Sequence, residues 1–161
     1  MSNQALFAAR TAVAEACEAT GSLARYFRIT SRSHHGLVLM VEIARASAVG
    51  RSVSIRAVAE TMHLSEGYLE ELAGRLRGAG LIRGSRGRLG GYVLVPAAAD
   101  ITMGTIVRLL DGPVVLAHCQ DATSTRACPA ESRCASRNFF GKLKSTIDRE
   151  LDSTTLADLV S

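Results

Sequence analysis

Residues 54–72 read Ser54-Ile55-Arg56-Ala57-Val58-Ala59-Glu60-Thr61-Met62-His63-Leu64-Ser65-Glu66-Gly67-Tyr68-Leu69-Glu70-Glu71-Leu72, and this stretch decides the fold. Ser54 is a good cap for a short helix running to about Met62, in which Ile55, Val58 and Met62 face the same way. His63 and Leu64 make a tight connection. Ser65 caps a second helix, and Glu66 takes the first-turn position that the helix dipole favours. That helix carries Leu69, Leu72 and Leu76 and stops near Gly78 or Gly80. Two short helices joined by a brief turn make a helix-turn-helix.

Downstream, Leu81-Ile82-Arg83 and Tyr92-Val93-Leu94-Val95 read as two short strands. The segment between them, Gly84-Ser85-Arg86-Gly87-Arg88-Leu89-Gly90-Gly91, has four glycines for sharp turning and projects Arg86 and Arg88 from its tip. This hairpin is a wing. Upstream, residues 35–48 form a helix so densely apolar that most of its circumference must be buried. Residues 1–20 read as a further, Ala-rich helix that Gly21 stops. Past the wing, Thr102 caps a helix to Leu110, which Asp111-Gly112-Pro113 breaks. A long helix then runs from about Ser136 to Leu151. Its stripe of Phe140, Leu143, Ile147 and Leu151 suits a partner helix, in a second subunit or in its own.

The expected fold is therefore mainly α with a small β-hairpin wing: a winged helix-turn-helix plus a long dimerisation helix. The expected division is an N-terminal helical extension (1–26), a DNA-binding domain (27–100), and a cysteine loop with dimerisation helix (101–161). The bulk numbers agree with one modest domain and an appendage: 161 residues, 47% hydrophobic, no Trp and few aromatics. No stretch is apolar enough to span a bilayer, and the start lacks the order of a secretory signal, so the expected setting is the cytoplasm. An enzyme is disfavoured: there is no nucleophile-base-acid set, and the Gly-rich stretch lies between strands rather than before a helix.

The net charge of +4 is mild, and its placement matters more. Between Ala73 and Ala99 stand five arginines (Arg75, Arg77, Arg83, Arg86, Arg88) and no Asp or Glu. Such clustering reads as a phosphate-contacting face or, more plainly, as a solvated surface. A recognition helix puts its N-terminal residues nearest the base edges. Here those are Ser65, Glu66, Gly67, Tyr68 and Glu70. A carboxylate is repelled by phosphate and is useful where it meets a base donor such as the cytosine amine. Glu70 is accordingly the specificity candidate; the plainer alternative is a helix-surface charge. Arg75, Arg77, Arg86 and Arg88 are the candidates for backbone or minor-groove contact.

Of four cysteines, Cys17 reads as a small buried hydrophobe, while Cys119, Cys128 and Cys134 fall in a polar segment as C-x8-C-x5-C. Three thiolates can hold a metal. The uneven spacing lacks the close pairs common in structural zinc sites and suits an iron-sulfur cluster. Arg137, one turn past Cys134, is always protonated and is no ligand. His34 and His35 are the candidates for a fourth. Alternatively the cysteines work without a metal, as oxidant-sensing thiols activated by Arg126, Arg133 and Arg137. A small metal-binding protein of iron-sulfur assembly is a third reading, against which the reader and wing argue.

Several motifs together resemble the Rrf2 family of bacterial transcription regulators. They are Arg28-Ile29-Thr30-Ser31, residues 64–70, Leu76-Arg77-Gly78-Ala79-Gly80-Leu81-Ile82, residues 86–92, Ile101-Thr102-Met103-Gly104, Leu110-Asp111-Gly112-Pro113, the three cysteines and Thr155-Leu156-Ala157-Asp158-Leu159. The resemblance implies a homodimer on a pseudo-palindromic double-stranded operator, paired through the helix after the cysteines. It places the family's reader glutamate on Glu70 and its wing arginine on Arg86. Its IscR-like and NsrR-like members imply a 4Fe-4S or 2Fe-2S cluster on Cys119, Cys128 and Cys134. Where IscR-like members carry a histidine ligand, this chain has Arg137. Where NsrR-like members carry an acidic ligand, it has His34, with His35 adjacent. The implied function is a cluster-dependent regulator, a repressor sensing nitric oxide, redox state or iron supply. A clusterless thiol regulator is the alternative.

Overall fold

A computed structural model describes residues 29–85, 90–121 and 133–160. The expected helix over residues 1–20, Cys17, the wing-tip arginines Arg86 and Arg88, Arg126 and Cys128 lie outside the described residues. The main elements are α1 (Ser31–Ala48), α2 (Ile55–Met62), α3 (Glu66–Gly78), β1 (Ile82–Ser85), β2 (Gly91–Leu94), α4 (Met103–Asp111) and α5 (Ser136–Ser153). The architecture is mainly helical with one small antiparallel hairpin, as the alternation of caps, apolar stripes and glycines requires.

α1 begins at Ser31, four residues before the expected start, because Thr30 caps it. The Thr30 hydroxyl oxygen accepts from the Arg32 N–H at 3.1 Å. Thr30 also ties this end of the helix to the end of α4: its N–H and hydroxyl donate to the Asp111 carboxylate at 2.9 and 2.6 Å. Burial pushes that carboxyl upward, but the Thr30 hydrogen bonds and the nearby Arg32 charge outweigh it and hold its pKa below the usual range. The two helices lie close. A Cβ built on Gly36 would stand 2.2 Å from Leu110 Cδ1, so the absent side chain at Gly36 allows the approach.

One core joins all the elements. Leu39, Met40 and Ile43 of α1 meet Ile55 and Val58 of α2, Leu69, Leu72 and Leu76 of α3, Ile82 of β1, and Ile106 and Leu110 of α4. Leu156, near the C-terminus, is fully buried in the same cluster. It is held by its N–H to the Ile101 carbonyl at 2.8 Å and by the bridge between Thr102 and Thr155. Burying side chains of this size stabilises by about 1.5–3 kcal/mol each.

The hairpin pairs Ile82 with Leu94, Arg83 with Val93, Gly84 with Tyr92 and Ser85 with Gly91. A third extended residue, unforeseen from the sequence, joins it: Val53 and Tyr92 exchange hydrogen bonds of 3.1 and 2.8 Å. The wing is thus fixed to the loop that leads into α2. Ser47 at the end of α1 also accepts from the Leu94 N–H through its hydroxyl oxygen, at 3.0 Å.

α5 docks on α4 through charge. Arg108 donates to Asp148 at 2.8 Å and to Asp152 at 2.6 and 3.1 Å, and Lys144 donates to Asp148 as well. Burial raises the Asp148 pKa, but the Lys144 and Arg108 bonds win and lower it. No residue of α5 is buried. Among the described residues no helix is long and apolar enough to cross a membrane.

Candidate nucleic-acid interface and cysteine segment

α2 and α3 are set by their caps. Ser54 Oγ accepts from the Ala57 N–H and Ser65 Oγ from the Tyr68 N–H, each at 3.2 Å. His63 takes a left-handed backbone (φ 54°) at the turn, which stops α2 and lets the chain reverse into Leu64 and Ser65. α3 then buries Leu69, Leu72, Ala73 and Leu76 and leaves Glu66, Gly67, Glu70, Glu71, Arg75 and Arg77 exposed.

Glu70 is held from the wing. The Tyr92 hydroxyl donates to Glu70 Oε2 at 2.9 Å. Burial raises the Tyr92 pKa first and the Glu70 carboxylate raises it further, against an opposing push from Arg77. Tyr92 therefore keeps its proton and its role as donor at neutral pH. Tyr68 is half-buried, with its hydroxyl 3.3 Å from His35 Nδ1 and its ring edge-on to the imidazole. Arg75 pairs with Glu71 at 3.2 Å on the helix surface, a contact worth well under 1 kcal/mol. Tyr92 and His35 were not foreseen as partners of the reading helix. Both bonds join residues far apart in sequence, and no local pattern announces them.

Cys119 sits exposed in the short turn His118–Gln120, whose Gln120 side chain accepts from the Leu116 N–H at 3.1 Å. Cys134 is half-buried just before α5, its Sγ 3.2 Å from the Ser136 hydroxyl. Hydrogen bonding by that hydroxyl and by the Ser136 and Arg137 N–H groups, with the Arg137 charge, outweighs desolvation and lowers the Cys134 thiol pKa. This is the environment that makes a thiolate available. Cys119 lines an open cleft of about 430 Å³ with Gln120, Arg137, Asn138, Gly141 and Lys142, so both thiols stand at the head of α5.

The described donors do not form an iron-sulfur cluster site. Among the described residues no three His, Cys, Asp or Glu side chains converge as metal ligands do. His34 is exposed on α1, His35 is engaged by Tyr68, and Cys134 bonds to Ser136.

Helix, turn, helix and wing around one core define a winged helix-turn-helix DNA-binding regulator. The sequence pattern of the Rrf2 family, described as iron-dependent transcriptional regulators, matches residues 29–161. The chain is 37% identical over 134 residues to the HTH-type transcriptional regulator CymR of Bacillus subtilis, covering 83% of this chain and 90% of that one. The solved structure of CymR, named there the global cysteine regulator of B. subtilis, superposes with a TM-score of 0.68 at 34% identity, covering 83% of this chain and 96% of that one. The oxidized form of Staphylococcus aureus CymR gives 0.65 at 33% identity, covering 84% and 97%. IscR of Serratia proteamaculans is 32% identical over 134 residues, 83% of this chain and 79% of its own. The chain belongs to the Rrf2 family and is a DNA-binding transcription regulator, not an enzyme.

The expected cofactor is corrected on these findings. A 4Fe-4S or 2Fe-2S cluster on Cys119, Cys128, Cys134 and His34, with His35 in reserve, is not supported by the described donors or by the likeness to CymR in its reported and oxidized forms. The spacing misled because three thiols in a polar segment can in general serve redox chemistry as well as a metal, and only their surroundings separate the two.

Proposed function

We propose that this chain is a homodimeric, thiol-based redox regulator that reads a pseudo-palindromic operator in double-stranded DNA. The observation that carries it is Cys134, whose thiol is brought toward its thiolate form at the head of α5 beside Arg137, with the exposed Cys119 at the same end. Attack of that thiolate on a peroxide breaks the O–O bond, leaving a sulfenic acid and releasing hydroxide or water. A new group at this point loads the start of α5. α5 is tied to α4 by Arg108, and α4 to α1 by Asp111 and the close Gly36–Leu110 contact. The core then continues into α3.

In this reading Ser65, Gly67, Tyr68 and Glu70 face the bases, Arg75, Arg77 and the wing arginines Arg86 and Arg88 face the backbone or minor groove, and residues 101–161 supply sensing and pairing. The relative solved in an oxidized form supports a thiol mechanism.

The test is duplex affinity by fluorescence anisotropy, reduced against peroxide-treated. The wild type is expected to change by at least about fivefold, in the range of ordinary allosteric coupling. Cys134→Ser is expected to bind as the reduced protein does and to ignore peroxide. An affinity that peroxide leaves untouched in the wild type sinks the redox reading while leaving the DNA reading intact.

Glu70→Ala is expected to relax selectivity at one operator base pair, removing about 1–3 kcal/mol of discrimination, with little change in salt dependence. Binding of a randomised operator pool checks it. An unchanged base profile would return Glu70 to the role of a surface charge held by Tyr92.

A further inference from the structure

Several arginines already have a carboxylate. Arg45 is paired with Glu42, Arg56 with Glu60 and Arg75 with Glu71, while Arg108 holds Asp148 and Asp152. Arg51 and Arg83 differ. Both are exposed, and among the described residues neither guanidinium has an ion-pair or hydrogen-bonding partner. They nevertheless stand together. Arg51, in the loop after α1, and Arg83, on the first wing strand, line one cleft of about 660 Å³ with Val53, Ser54 and Ser85, and among the described residues no carboxylate borders it.

The floor of this cleft is the start of α2. Ser54 Oγ takes the Ala57 N–H, and the preceding first-turn N–H groups have no acceptor within the helix. The dipole adds positive potential there. Position fixes the partner. The first helix of a helix-turn-helix crosses the DNA backbone while the second enters the major groove, and β1 leads directly to the wing tip. The Val53–Tyr92 bridge and the Tyr92–Glu70 bond hold the cleft in fixed relation to the reading helix. Guanidinium groups match phosphate oxygens with two parallel donors, whereas an ammonium would supply a point charge.

We infer that Arg51 and Arg83 form a phosphate clamp between the start of α2 and the wing, holding one strand of the operator backbone beside the helix that reads the bases. The inference rests on the chain's being a DNA-binding regulator and adds to it a contact site that α3 and the wing tip do not supply. The clamp sets affinity and register on the duplex. It carries no base information, because phosphates are alike at every step.

The experiment uses the full chain and a mixed-sequence duplex long enough for two half-sites, with affinity measured over a series of salt concentrations. The variants are Arg51→Gln, Arg83→Gln and the double substitution. Arg149→Gln, an exposed arginine on α5, serves as a control of equal charge. Each clamp arginine is expected to lower the slope of log K against log salt by about one, and the pair by about two. Affinity near 0.1 M salt is expected to fall roughly tenfold per arginine. Arg149→Gln is expected to keep the wild-type slope, and circular dichroism to show all variants folded. A double variant whose slope matches that of Arg149→Gln overturns the clamp while the wild type still binds. A wild type without salt-dependent duplex binding overturns the regulator reading and the clamp with it.

Discussion

Gly91→Val is expected to destabilise the protein by about 3 kcal/mol and to lower its thermal midpoint by roughly 6–12 °C. A Cβ at this position would lie 2.2 Å from the Val53 carbonyl oxygen, 2.5 Å from its carbon and 3.0 Å from the Ser54 nitrogen. All three atoms are backbone, so no rotamer change relieves the clash. Either β2 moves away or the loop before α2 does. Each movement breaks the paired hydrogen bonds between Val53 and Tyr92, and it disturbs the residue that caps α2. Tyr92 would also lose its placement against Glu70. The effect therefore extends from stability to the reading face. Gly67 supplies the contrast, since no atom lies within 4 Å of a Cβ placed there. Gly67→Ala sits inside a helix and is expected to be neutral or to stabilise by about 0.5–1 kcal/mol. Thermal unfolding of both variants by circular dichroism checks the pair; equal midpoints would show that the Val53–Tyr92 bridge yields more easily than its geometry implies.

The sequence made the local structure legible because each boundary has a chemical marker nearby. Ser54, Ser65 and Thr102 cap the helices that follow them, as their hydroxyls allow. The glycines around the wing mark a hairpin, and Leu69, Leu72 and Leu76 mark the buried side of α3. Thr30 was readable as a cap too, but the polar run Ser31-Arg32-Ser33 hid the first turn of α1 from a search for apolar periodicity. The long-range bonds were not legible. Nothing near Tyr92 names Glu70, and nothing near Asp111 names Thr30, because such pairs depend on the packing of elements around Leu39 and Ile106. The cysteine segment shows the same limit from the chemical side. Spacing gives the reach of a ligand set, whereas the reactivity of a thiol depends on neighbours such as Ser136 and Arg137 that shift its pKa. The stripe on α5 was read from period alone as Phe140, Leu143, Ile147 and Leu151. In the fold Leu151 packs on the chain's own core, Phe140 and Ile147 are half-buried, and Phe139 is the most exposed large apolar residue on the helix.

That division on α5 leads to the second large effect. Substituting both Phe139 and Leu143 by Asp is expected to convert a dimer into a monomer and to weaken operator binding about a hundredfold or more. One side of α5 is engaged within the subunit through Asp148, Asp152 and Leu151. On the rest of the helix Phe139 is 62% exposed and Leu143 38%, one turn apart, with the Phe140 ring edge-on to Phe139 at 5.3 Å. Apolar side chains grouped in this way on a helix gain by meeting a second copy, and two carboxylates placed among them would be buried without partners. The cost to the subunit itself is small, since no residue of α5 is buried in it. Operator binding suffers more than stability. A dimer that has docked one reading helix presents the second at a high effective concentration, an advantage of about 10²–10⁴ in affinity that a monomer loses. Sedimentation velocity measures the first effect and anisotropy on a selected operator the second. A double variant that remains dimeric would move the pairing surface elsewhere. A monomer that still binds the full operator at wild-type affinity would show that each reading helix acts alone.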